Sequence, residues 1–175
     1  MHEKTRTNRE FVRDGNENME IMTYQEKYKN QIVDLILDIQ NNEAKINLSL
    51  DEQPDLKDIT SCYEYDGGEF WIAVDDGVVI GTLALMNKGN GNAVLKKAFV
   101  RADHRKKGVL SKLYNELLAF ANSKDIHTII FDTPSVATDC HHFFEKRGYR
   151  RIAKDELPFE YHYPDRDSYV YMINR

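Results

Sequence analysis

The sequence predicts an α/β fold: a mixed, largely antiparallel central sheet flanked by helices. Three observations carry that expectation. Short β-friendly runs alternate with stretches of helical periodicity along the chain. One segment, EFWIAVDDGVVIGTLALM (69–86), reads as a hairpin of two apolar runs joined by Asp75-Asp76-Gly77. The 175 residues, 41% hydrophobic and 30% charged, suit a globular domain with one core.

Taken in order, EIMTY (20–24) is a short strand, and Ile32, Leu35, Ile36 and Ile39 recur at helical spacing through residue 40. Pro54 is placed to open a second helix with Leu56, Ile59 and Tyr63 on one face, ended by Gly67-Gly68. After the hairpin, NKGNGN (87–92) reads as a turn and AVLKKAFV (93–100) as a long strand. A helix follows from about 108 to 123, striped by Leu110, Leu113, Leu117 and Phe120. HTIIFD (127–132) is a strand of the buried type. Thr133-Pro134 then opens a helix through Lys146, and Gly148 stops it. Tyr149–Ala153 and Ser168–Ile173 supply the last strands. Residues 1–18 lack hydrophobic periodicity and read as a flexible extension, leaving 19–175 as a single domain.

Composition narrows the function classes. No apolar run approaches the ~20 residues that span a bilayer, and the polar N-terminus has no apolar signal core. With only Cys62 and Cys140 and no export signal, the expectation is a cytoplasmic chain with reduced thiols. Charge is segregated. Residues 34–76 hold twelve acids against Lys45 and Lys57, a net of −10 in a chain of net −5. One face should attract cations and the other anions.

The anion site reads from FVRADHRKKGVLS (99–111), a strand end, a basic loop, one glycine and a helix. A helix N-terminus leaves about four amide N–H groups unpaired and carries roughly half a positive charge. Gly108 allows close backbone approach, and Arg105, Lys106 and Lys107 add charged donors. The order of residues fits neither a P-loop nor the three-glycine dinucleotide fingerprint. A pI of about 5.7 with one basic loop suits a small phosphorylated ligand and disfavours nucleic acid.

Two motifs then coincide. Arg105-Lys106-Lys107-Gly108-Val109-Leu110 resembles the Q/R-x-x-G-x-G/A motif of the GNAT superfamily of acyl-CoA-dependent N-acetyltransferases. Phe143-Phe144-Glu145-Lys146-Arg147-Gly148-Tyr149 resembles the aromatic-Tyr-Glu-Lys-x-Gly-Phe signature of the same family, at the expected separation. The resemblance, over roughly 19–175, implies a GNAT-like sheet whose fourth and fifth strands splay into a cofactor cleft. It implies acetyl-CoA as acyl donor, with the pyrophosphate on the amides of Arg105, Lys106, Lys107, Gly108, Val109, Leu110 and Ser111. The pantetheine would pair with the strand end at Ala98, Phe99 and Val100. A cationic amine acceptor, small molecule or peptide, would arrive over the acidic first helices. The resemblance allows a homodimer and calls for no metal, membrane or nucleic-acid partner.

Departures fall on the chemical half of the pattern. Leu110 replaces the motif's last small residue, and Phe144 stands where many members carry the tyrosine that protonates the departing thiolate. Ala137 and Cys140 replace an asparagine and an alanine, and the fourth strand carries Lys96 and Lys97 where some members have an acid. Asp132, ending the fifth strand, is a candidate general base. Cys140-His141-His142 cannot readily converge on one metal, because consecutive helical positions point about 100° apart. Trp71 and Phe70 read as core, and Tyr161-His162-Tyr163 as a loop, the alternative being that one of its residues reaches the acceptor site. The expected activity is acetyl transfer to a primary amine by direct attack. The alternative is a degenerate acyl-CoA-binding sensor or interaction module.

Overall fold

The computed structural model describes residues 18–162 and 167–175. The first seventeen residues of the expected extension, and Tyr163, lie outside them. Seven strands form one sheet in the order β1-β2-β3-β4-β5-β7-β6. They are β1 (Met19–Thr23), β2 (Glu69–Asp75), β3 (Val78–Gly89), β4 (Asn92–Val100), β5 (Thr128–Pro134), β6 (Arg150–Ile152) and β7 (Ser168–Asn174). Every neighbouring pair is antiparallel except β4 and β5, which run parallel.

The hairpin forms as expected, with Asp76 and Gly77 both left-handed (φ 48° and 77°), the signature of a tight turn matched to strand twist. The turn read over 87–92 is shorter than that. β3 runs on through Gly89, and only Asn90 and Gly91 (φ 54° and 75°) reverse the chain.

Four helices flank the sheet: α1 (Lys29–Asp38), α2 (Pro54–Lys57), α3 (Val109–Ser123) and α4 (Thr138–Glu145). The second helix is broken after one turn. At Asp58 (φ −142°, ψ 78°) the backbone leaves the helix, and the carboxylate accepts the Ser61 N–H instead. A wide helical turn at Thr60–Glu64 then keeps Ile59 and Tyr63 buried beside Leu56, so the predicted apolar face survives the break. Thr133-Pro134 does not open a helix; it ends β5, opposite Tyr169 and Ser168. Proline suits a strand end, where no donor is required of it. Helix α4 starts four residues later, and Gly148 (φ 94°) ends its approach to β6.

The sheet is covered on both faces. On one, α3 and α4 bury Leu113, Tyr114, Leu117 and Phe144 against Leu83, Leu95, Ile129 and Phe131. Fully burying each such aliphatic side chain contributes roughly 1.5–3 kcal/mol. On the other, α1, α2 and the 60–64 turn cover β2 and β3 through Ile32, Ile36, Leu56, Tyr63 and Phe70. The segment around Leu157–Tyr161 covers Val94, Ile130 and Val170 on that same face. The middle of β4 lies between these two covers.

Candidate functional site

The ladder between β4 and β5 has three rungs, Asn92–Thr128, Ala93–Ile129 and Val94–Ile130. Beyond them the strands part. β4 continues to Val100 paired with β3 alone, and β5 continues to Pro134 paired with β7 alone. A strand edge at Leu95–Val100 is thereby left facing a gap whose far wall is Phe131–Pro134.

A β-bulge sits inside that edge. Lys97 is left-handed (φ 56°), the register jumps between Thr82 and Ala84, and the Thr82 hydroxyl captures the Lys97 carbonyl at 2.7 Å. The extra residue reverses the strand's alternation. Leu95 before it packs toward α3, yet after it Ala98 and Val100 pack toward α3 and Phe99 toward α1 and α2. Lys97 is turned away from the α3 core to the face of α2, where it meets Asp55.

There it joins a buried polar cluster. Its ammonium lies 2.7 Å from Gln53 Oε1 and 3.5 Å from Asp55 Oδ2, with 9% of the side chain exposed. Tyr63 donates to the same Asp55 oxygen at 2.6 Å, and Gln53 exchanges two hydrogen bonds with Gln40. Burial holds the Lys97 ammonium below the ordinary lysine range; the attraction of Asp55, and of Asp132 across the gap, opposes that. Asp132 itself accepts the Tyr161 hydroxyl at 2.6 Å.

At the far end of β4 the chain passes through a short turn, Ala102–His104, into the basic loop. Lys106 (φ 60°) and Gly108 (φ 80°) are both left-handed, so the backbone turns twice before α3 begins. No side chain caps α3, and no acid stands in its first turn. A Cβ built on Gly108 would meet no atom within 4 Å, so the loop faces open space. Charge, amides and room all fit a pyrophosphate. Arg105 is already engaged, however: its Nε donates to the Val100 carbonyl at 2.9 Å and its Nη2 to Glu43 at 2.5 Å. Leu110 packs against the core, and Ser111 Oγ accepts from Arg147, whose guanidinium lies 3.5 Å from the Phe143 ring centroid.

The remaining candidates fall elsewhere. Phe144 is fully buried among Phe131, Phe143, Tyr149 and Tyr114, with ring centroids 4.6 to 5.7 Å apart. Cys140 is partly buried, desolvation pushes its thiol up to about 11, and His141 bonds the Pro134 carbonyl. Among the described residues, no group of three or more His, Cys, Asp or Glu side chains is arranged to hold a metal. No helix there is long and apolar enough to cross a membrane. Trp71 and Phe70 are core. Two surface clefts of about 410 and 360 Å³ contain no residue of β4 or β5. Glu64 and Glu69 line the second, beside Phe120 and Lys124 at the opposite end of α3 from the basic loop.

Reading AVLKKAFV as one continuous strand gave Lys97 no site role, because the bulge is invisible in those residues. It also missed Glu43, Gln53 and Asp55, whose links to Arg105 and Lys97 span more than forty residues. The only local signal was two successive lysines in an otherwise apolar strand.

Comparison with known proteins gives a consistent result. Residues 33–149 match the Acetyltransferase (GNAT) family. An N-acetylaspartate synthetase from Danio rerio is 30% identical over 104 residues, covering 58% of this chain and 37% of that protein. A probable N-acetyltransferase family 8 member 5 from Mus musculus is 26% identical over 107 residues, covering 58% and 47%. This chain thus aligns with less than half the length of these curated relatives. Among solved structures, an acetyltransferase from Streptococcus agalactiae 2603 superposes with a TM-score of 0.87 at 36% identity, over 91% of this chain and 99% of that one. A PaiA N-acetyltransferase from Thermoplasma acidophilum, in complex with coenzyme A, shares the fold at TM-score 0.69 and 14% identity, over 90% and 99%.

Proposed function

Because this chain belongs to the GNAT acetyltransferase family, we propose that it transfers an acetyl group from acetyl-CoA to a primary amine by direct attack. One observation carries the reading: the strand that leaves its partner after Val94 runs into an uncapped, basic helix N-terminus. Amides from Lys106 to Ser111 hold the donor's pyrophosphate, the Arg105 amide being bonded to the Ala102 carbonyl. The edge at Ala98, Phe99 and Val100 takes the pantetheine as an added strand, and the thioester lies in the gap beside Lys97. Engaging phosphate requires Arg105 to leave Glu43.

The acceptor arrives over the face that bears Asp55, Lys97 and Asp132. The Asp132 carboxylate, across the gap from the Lys97–Asp55 pair, favours an acceptor bearing an ammonium group. In this reading Asp132 anchors that group and takes its proton, and Tyr161 returns one to the thiolate.

A second reading, acyl-CoA binding without turnover, is favoured by the hydroxyl-free ring at Phe144. Release of free thiol from acetyl-CoA across a panel of amines separates the two. The panel should include polyamines, peptides and aspartate, the last because several relatives are named N-acetylaspartate synthetases. Turnover with any of them supports transfer; saturable coenzyme A binding with no thiol release across the panel supports the second reading.

A further inference from the structure

We propose that Lys97 is itself an acceptor: the protein acetylates this side chain from bound acetyl-CoA, blocking its own acceptor chamber. The inference rests on the reading above for the position of the donor. Lys97 is a primary amine, the same chemical class as the proposed acceptor, carried on the strand edge where the thioester would lie. It is turned to the acceptor side by the bulge and held by Gln53 Oε1 at 2.7 Å and Asp55 Oδ2 at 3.5 Å, with 9% of the side chain exposed. Asp132, which accepts the Tyr161 hydroxyl, lies on the other wall of the gap. The chain therefore presents its own amine where a free acceptor would have to bind.

Two physical effects favour reaction there over reaction at the surface. An amine fixed beside its electrophile avoids the entropic cost of encounter, an advantage that reaches many orders of magnitude in well-aligned systems. Burial also lowers the ammonium's proton affinity, so more of Lys97 is neutral than of an exposed lysine. The neutral Nζ attacks the acetyl carbonyl, a C–N bond forms, the C–S bond breaks and the sulfur leaves as thiolate. The amine's surplus proton passes to Asp55 and then to the thiolate. One acetyl group is gained by the protein and one free thiol released, with no oxidation or reduction. The resulting acetamide keeps one N–H, enough to satisfy Asp55, while its methyl and carbonyl fill the chamber.

The full chain, incubated with acetyl-CoA alone, is examined by intact mass and peptide mapping, both folded and unfolded in urea. The folded chain is expected to gain one acetyl group at Lys97, about tenfold or more faster than at exposed Lys124 and Lys146. The preference should vanish in urea, and K97R should lack the modification. Saturable binding of coenzyme A by calorimetry, with Lys97 no more modified than the exposed lysines, overturns this inference and leaves the transferase reading standing. Absence of binding overturns both.

Discussion

Arg105 is the residue where two demands meet. Its guanidinium is bound by Glu43 and the Val100 carbonyl, yet it stands at the loop proposed for phosphate. Removing Glu43's charge should free it. Glu43→Gln is expected to tighten coenzyme A binding about two- to fivefold, the scale of a half-exposed ion pair, whereas Arg105→Ala should weaken it about 10- to 100-fold. Calorimetry of both variants checks this, and a weakened Glu43→Gln would show that the pair organises the loop instead of competing with the ligand. At Gly108 the argument is conformational. A methyl group has room, but φ of 80° costs a substituted residue about 1–2 kcal/mol, so Gly108→Ala should lower stability by that amount. Cys140 gives a pH signature. Burial raises its thiol from 9.0 to about 11, so the unfolded chain ionises first as pH rises. Stability present below pH 9 should drain away between pH 9 and 11, and Cys140→Ala should flatten that stretch of a urea-midpoint profile.

At the scale of elements, most of the fold was readable because periodicity and turn chemistry are local. The 69–86 hairpin, α3 and the Gly108 and Gly148 punctuation follow from nearest neighbours along the chain. What was not readable is long-range. The bulge at Lys97 depends on Thr82 from another strand; the break at Asp58 is the local exception, unread because two nearby acceptors compete for the Ser61 amide. Thr133-Pro134 resembled a helix start because proline serves both helix N-termini and strand ends; pairing with β7 decided between them. The candidate site divides in the same way. Its phosphate loop is one continuous run of residues, while its acceptor side is assembled from α2, β4, β5 and the 157–161 segment. Thr82→Val tests the bulge as an element. It removes the hydroxyl that holds the part-buried Lys97 carbonyl, and should cost about 1 kcal/mol for the lost hydrogen bond. Thermal unfolding measures that cost.

Across the whole molecule, the acids that make residues 34–76 so negative are not all near the gap. Glu64 and Glu69 line a cleft at the other end of α3, whereas Asp55 and Asp132 flank Lys97. If the acceptor is drawn in by charge, its kcat/KM should fall with added salt. Asp132→Asn should reduce that salt slope, and neutralising Glu64 and Glu69 together should leave it nearly intact. Equal effects from both sites would shift the attraction from the gap to the general field of the surface.

The three rungs between β4 and β5 have a mechanical consequence. Together with the His127 and Thr128 amides, which donate to the Gly91 carbonyl, they make the backbone seam, among the described residues, between a four-stranded half-sheet, β1 to β4, and a three-stranded one, β5 to β7. A donor laid along the open edge of β4 would act as a temporary rivet, bridging the halves where the sheet has no backbone bonds of its own. Coenzyme A at a hundred times its dissociation constant should then stabilise the fold by about 2.7 kcal/mol. Amide exchange should slow most on either side of the seam, at Leu95–Val100 and Phe131–Pro134, leaving the outer strands β1 and β6 little changed.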